Sequence, residues 1–133
     1  QVGYFADFLP TIADLAGVNP IVKVDGVSIL SVLHGKLNKI KERCLYWEFY
    51  EKKGWRATRF GKWKAIQKNM HSGDQGAIEV YDLENDPSEK NDVSSANSKI
   101  LKKAQRIFKE AHVPSEHYVW KFLNKGDVEV YNK

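Results

Sequence analysis

A chain of 133 residues and 15.3 kDa can bury about two-thirds of the surface that its unfolded form exposes, enough for one core. Its 21 basic and 17 acidic side chains leave a net charge of +4, which would suit a polyanionic partner but is ordinary for a globular protein, and its one cysteine excludes an internal disulfide. No apolar run is long enough to span a membrane and no signal peptide is present, while the opening Gln1 leaves a removed leader or a longer precursor open.

In chain order, the first helix candidate is Phe8 to Ala16. Asp7 can cap it, Pro10 falls in the first turn where a missing N–H costs nothing, and Gly17 offers the left-handed position that ends it. Leu9, Ile12, Ala13, Leu15 and Ala16 cover more than half of its surface, so it wants burial on more than one side. Val18 to Asp25 reads as an extended connector, Ser28 to His34 as a short helical turn ended by Gly35, and Leu37 to Glu42 as a polar link. Three short aromatic or β-branched runs follow, Arg43 to Tyr50, Trp55 to Phe60 and Lys62 to Lys68, and Ala77 to Leu83 supplies another. Turn residues between them predict an antiparallel meander. In the first run Leu45, Trp47 and Phe49 alternate with Tyr46, Glu48 and Tyr50, which predicts that the Trp47 face lies on the core.

Asn69 to Gly76 is a glycine-containing loop, and Asn85, Asp86, Pro87 and Ser88 form a turn whose side chains can bond their own backbone. From Ser98 to His112, Ile100, Leu101, Ala104, Ile107, Phe108 and Ala111 recur at helical spacing, with Lys99, Lys102, Lys103, Arg106 and Lys109 mostly opposite. This predicts an amphipathic helix, capped by Asn97 and stopped before Pro114, that lies across the sheet with Leu101, Ile107 or Phe108 against Trp47. Its basic side is read as a solvated face. The tail from Ser115 to Lys133, with Tyr118, Trp120, Phe122 and Leu123, is expected to pack back on the sheet. The expected fold class is α+β: a four-stranded antiparallel sheet packed against a long amphipathic C-terminal helix, preceded by a short helical N-terminal segment.

Several stretches also carry a resemblance. Leu45-Tyr-Trp-Glu-Phe, Arg56-Ala-Thr-Arg-Phe-Gly-Lys-Trp-Lys-Ala and Val80-Tyr-Asp-Leu-Glu-Asn-Asp-Pro-Ser-Glu resemble the C-terminal subdomain of arylsulfatase-like, formylglycine-dependent sulfatases. Upstream, Asp7-Phe-Leu-Pro-Thr-Ile-Ala-Asp-Leu-Ala-Gly and Asp25-Gly-Val-Ser-Ile-Leu-Ser-Val-Leu-His-Gly resemble the segments that precede that subdomain, in the same order. The resemblance implies that residues 1–42 are a helical remainder of the sulfatase α/β domain and that residues 43–133 are the C-terminal subdomain. It further implies a parent that hydrolyses sulfuric esters of a sulfated sugar or aryl sulfate. Calcium and formylglycine are then expected in the missing N-terminal domain, which becomes the chain's main partner. A periplasmic or extracellular parent would follow if it resembles typical secreted sulfatases.

The catalytic groups of such an enzyme are not found here. The C/S-x-P-x-R motif that yields formylglycine is missing, because Cys44 is followed by Leu45-Tyr46-Trp47; Cys44 reads as a small apolar side chain on a strand. His112 and His117, with Glu116 between them, lack further ligands at a zinc-like spacing, and Asp82, Glu84, Asp86, Glu89 and Asp92 read as turn chemistry rather than a calcium loop. No catalytic and no metal residue is therefore assigned. Substrate contact is assigned to Tyr50, at the position where the family often has a histidine, and to Lys52 and Arg56 beyond it, since a tyrosine can stack on a sugar ring and cations suit sulfate or carboxylate. An ordinary solvated hairpin tip is the plain alternative for those residues. For the whole chain two readings stand: the C-terminal fragment of a sulfatase, inactive alone and prone to self-association, or a freestanding basic, aromatic-rich binding module for glycans or nucleic acid. The order of the motifs favours the first, with neither nucleic acid nor membrane as a partner.

Overall fold

The computed structural model describes residues 2–18, 23–36, 41–71 and 75–114. The described residues fall into two compact units, Gln1–Glu42 and Arg43–Lys133. The Asn19-Pro20 connector, the tip of the loop after Asn69, His117 with Glu116, and the aromatic tail from Ser115 lie outside them.

In the first unit a 3-10 turn, Phe5–Asp7, runs into α1, Phe8–Leu15, and α2 is one turn, Leu30–Leu33. Gly17 and Gly35 both hold a left-handed conformation after these helices, at φ +69° and +79°, as the helix stops require. Asp7, however, does not cap α1 through its side chain. Its buried carboxylate instead accepts the backbone N–H of Tyr4 and of Val27, each at 3.0 Å, and so ties the start of the unit to a segment twenty residues on. Thr11 continues the tie: its hydroxyl donates to Asp7 O at 2.6 Å and accepts from Ile29 N–H at 3.0 Å. Gly26 makes this approach feasible, since a Cβ there would lie 1.9 Å from the carbonyl oxygen of Ala6.

The second unit is the predicted meander. β1 (Leu45–Phe49), β2 (Trp55–Phe60), β3 (Trp63–Lys68) and β4 (Ile78–Asp82) pair antiparallel in chain order. α3, Ser98–Ala111, packs on one face, and the buried core is Phe60, Ala65 and Val80 from the sheet with Ala104, Ile107 and Phe108 from the helix. Asn97 does not cap α3 with its side chain, which donates to Val93 O at 2.9 Å instead.

The pleat runs in the opposite phase from that expected of Trp47. Tyr46, Thr58, Ala65 and Val80 are in register across the sheet and face α3, with the Tyr46 and Phe108 rings 6.1 Å apart. Trp47 therefore sits on the other face, 40% exposed, and Tyr46 takes the place over Phe108. The reason lies in the neighbours. Thr58 and Ala65 are small and completely buried, so their face lets α3 come close enough to seat Phe108. Cys44 also departs from expectation: it lies before β1 and is exposed.

Candidate functional site

The face of the sheet turned away from α3 forms an open groove of about 630 Å³, bordered by Trp47, Phe49, Trp55, Ala57 and Ile66 with the charged Lys52, Arg59, Lys64 and Glu89 around them. Register explains the composition: Trp47 pairs with Ala57 and Ala57 with Ile66, while Phe49 pairs with Trp55. The Phe49 and Trp55 rings lie 6.1 Å apart in a tilted arrangement, and both remain nearly half exposed, at 45% and 44%. Two cations of the sheet are already engaged, Lys64 with Glu89 at 2.6 Å and Lys68 with Glu79 at 2.8 Å. Arg59 differs, because its Nε is buried without a hydrogen-bond partner.

The β1–β2 hairpin closes the groove at one end. Its loop is held by more than its own turn, with Met70 N–H bonded to Gly54 O at 3.0 Å and His71 N–H to Lys53 O at 2.9 Å. The His71 ring adds a contact to Tyr50 O. Lys52 adopts φ +58°, a left-handed conformation that is costly for a lysine, and its side chain is exposed at the groove's edge.

Tyr50 and Arg56, assigned together with Lys52, are engaged elsewhere. The Tyr50 hydroxyl donates to the Glu48 carboxylate, which also accepts from Tyr46 and pairs with Nδ1 of His112 at 2.5 Å. Glu48 and His112 side chains are only 11% and 18% exposed, so this pairing fastens β1 to the end of α3 well out of bulk water. Arg56 directs Nε and Nη2 to Gln67 Oε1, at 2.9 and 2.6 Å, and its guanidinium carbon stands 4.6 Å from the centre of the Phe108 ring. Arg56 also borders the groove, but its guanidinium is engaged with Gln67 and Phe108. Burial lowers the Arg56 guanidinium from its ordinary value, against the pull of Tyr46 and Glu48. Burial first, then the bond to Glu48, pushes the Tyr46 hydroxyl far above the usual tyrosine range. The Glu48–His112 pairing joins residues 64 positions apart, which no local pattern reveals.

The acidic residues after β4 do the turn chemistry expected of them. Asp86 accepts the N–H of Lys90 and Asn91 at 2.8 and 2.7 Å, Asp82 takes Glu84 N–H and pairs with Lys62, and Asp92 takes the N–H of Val80 and Ser94 at 2.9 Å each. Among the described residues no group of His, Cys, Asp and Glu side chains is arranged to hold a metal ion. No described helix is long and apolar enough to cross a membrane.

Residues 4–113 match the family described as N-sulphoglucosamine sulphohydrolase, C-terminal. The chain belongs to this family. Among solved structures, BT4656, determined in complex with its substrate D-glucosamine-2-N,6-O-disulfate, is 26% identical over 79% of this chain, with a TM-score of 0.63. Ps i-CgsB in complex with k-i-k-neocarrahexaose is 27% identical over 92% of the chain, with a TM-score of 0.64. This sulphohydrolase C-terminal segment spans only about a quarter of those proteins, 23% of one and 27% of the other. A phosphonate monoester hydrolase of Agrobacterium radiobacter shares the fold alone, at 18% identity over 77% of this chain and 23% of its own, with a TM-score of 0.54. Fold by itself therefore does not choose the ester. No curated protein matches the chain. The C-terminal sulfatase assignment, the α+β class and the sheet-and-helix layout expected from the sequence all stand.

Proposed function

We propose that the chain is the C-terminal portion of a sulfuric ester hydrolase acting on sulfated sugars, that it turns nothing over by itself, and that it completes the enzyme's core and one wall of the substrate cleft. The observation that carries this is the match of residues 4–113 to a sulphohydrolase C-terminal family. The sulfated-sugar class is supported by BT4656, which is described with a disulfated glucosamine as its substrate. The residues of this chain do not fit a formylglycine or a calcium ion: Cys44 is followed by Leu-Tyr-Trp, and the acidic side chains after β4 are committed to turns and ion pairs. On this reading both groups belong to the remaining polypeptide, in a periplasmic or extracellular enzyme.

Within the cleft Lys52 is the group that meets the substrate. Its ammonium is exposed on a braced hairpin, while Tyr50 and Arg56 act through Glu48 and Gln67 to hold that hairpin in place. On this reading Lys52 meets a part of the sugar away from the sulfate, where contact contributes binding rather than chemistry.

The chain alone should release no sulfate from an aryl sulfate, with or without calcium, whereas the polypeptide that contains it should. In that enzyme Lys52→Ala should raise KM for the natural sulfated sugar about five- to tenfold with kcat little changed, and should leave a small aryl sulfate unaffected. Arg56→Ala should alter both substrates alike, through stability. Sulfate release by the chain that is lost with Cys44→Ser would overturn the reading.

A further inference from the structure

We propose that the outward side of α3 binds a sulfated polysaccharide, through Lys99, Lys102, Lys103, Arg106 and Lys109. This rests on the sulfated-sugar reading above and adds to it that the sugar belongs to a polymer and which surface holds the chain. No bond is made or broken at α3, which serves to keep the polymer on the protein.

α3 has five basic side chains and one acidic, Glu110, an excess of four that equals the net charge of the whole chain, so the rest of the sequence is balanced. All five cations are exposed. Lys99, Lys102, Arg106 and Lys109 follow one another at spacings of three and four, with Lys103 beside them, its Nζ 4.7 Å from the centre of the Phe60 ring. The charges thus cover about a third of the helix circumference over about 15 Å. This arrangement works against the helix itself. Like charges three and four apart repel, and Lys99 lies in the first turn, where the helix dipole favours an acid and none is present. On the sheet Lys62, Lys64 and Lys68 are neutralised by Asp82, Glu89 and Glu79 at 2.6–2.8 Å, whereas the one ion pair within α3 is Arg106 with Glu110 at 3.8 Å, both side chains 67% exposed. Solvation alone asks for no such excess, since alternating signs hydrate as well and also support the helix. The chemistry of the occupant follows from what α3 lacks. Its apolar side is buried on the sheet through Ala104, Ile107 and Phe108, so nothing remains to enter a bilayer. Its one aromatic side chain, Phe108, is buried, so no ring is offered to a nucleobase. Four of the five cations are lysines, point charges on flexible stems that suit sulfates spaced along a flexible chain.

Heparin binding tests the idea, in the chain and in the longer sulfatase polypeptide. Lys102→Gln, Arg106→Gln and Lys109→Gln together remove three charges from α3 while keeping good helix formers, and Lys36→Gln, Lys41→Gln and Lys90→Gln remove three exposed charges elsewhere. The α3 variant should raise the Kd for heparin at least about tenfold and flatten its dependence on salt, while the control stays within about threefold of the parent. Equal losses in the two variants would reduce the binding to diffuse net charge, and no loss in either would remove α3 from it; both results overturn the proposal. Fully desulfated heparin held as tightly as heparin would overturn the part played by sulfate. Tighter binding of phosphatidylserine vesicles or of a DNA duplex through the same three residues would give the face to another partner and overturn the proposal. Sulfate release from a sulfated monosaccharide by the longer polypeptide is measured separately, and the α3 variant should leave it unchanged. A longer polypeptide that binds heparin through α3 but releases no sulfate would overturn the sulfatase reading and support the binding face.

Discussion

At the scale of single residues the clearest lesson concerns Tyr46 and Trp47. Either could have faced the core, since Tyr46, Glu48 and Tyr50 bring as much polar as apolar surface. What lets their side be buried is that the polar atoms satisfy one another: both hydroxyls reach Glu48, and Glu48 reaches His112. Phe108, 1% exposed, is then the anchor of the unit, and Phe108→Ala should cost about 3–5 kcal/mol in urea unfolding. Trp47→Ala in the chain alone should cost about 1 kcal/mol or less, as expected for a partly exposed side chain. Asp92 makes a different prediction. Burial raises its carboxyl, but the bonds from Val80 N–H and from Ser94 outweigh burial and hold it below the usual aspartate range. A carboxyl depressed in the fold contributes stability that is complete above its ordinary value and is lost as pH falls through the folded one. Asp92→Ala should therefore destabilise at pH 7 by about 1 kcal/mol, and the difference from the parent should shrink toward pH 2. A difference that holds constant across that range would mean that the charge of Asp92 plays no part.

At the scale of elements, Glu48 and His112 decide how α3 is fastened. A double-mutant cycle with Glu48→Gln and His112→Gln should show coupling of about 0.5–3 kcal/mol, since the two side chains are in direct contact and sheltered. In the first unit Gly26→Ala should abolish hydrogen-exchange protection in α1, because the added methyl would meet backbone at 1.9 Å, with no side chain there to yield. What could be foreseen from the sequence follows the same division. Element types and order were visible because each strand is a short aromatic run between turn residues and α3 has an unbroken helical period; β2 spans Trp55–Phe60 as expected. The phase of the pleat was not, because it depends on Thr58 and Ala65 making room for Phe108, a contact between the sheet and a helix some forty residues beyond it. Capping failed for a related reason. Asp7 and Asn97 have the right chemistry for helix caps, but Val27 N–H and Val93 O claim their side chains first. Of the candidate site, the exposed Lys52 was legible as a cation after an aromatic strand. Its bracing by Met70 and His71 was not, since that requires the chain to return from the far end of β3.

At the scale of the whole molecule, each unit carries an open apolar face, and the two should behave differently when the chain stands alone. The groove on the sheet is ringed by charge of both signs, Lys52, Arg59 and Lys64 with Glu89, so burying it costs desolvation. In the first unit Phe5, Phe8, Leu9, Ile12 and Leu15 are all more than half exposed, and among the described residues the charged ones that line the hollow beside them are Lys23 and Asp25, of opposite sign. Nothing in that face opposes its own copy, and contiguous apolar patches of a few hundred Å² usually find a partner. We therefore expect the chain alone to self-associate through α1, with sedimentation coefficients that rise over the micromolar range. Ile12→Glu should return it to a monomer at equal concentration, since a carboxylate is costly to bury in an apolar contact, while Trp55→Ser should leave the association as it was. Association abolished by Trp55→Ser and untouched by Ile12→Glu would move the contact to the sheet. A chain that stays monomeric at high concentration would show that the exposed side chains of α1 are tolerated by water as they stand.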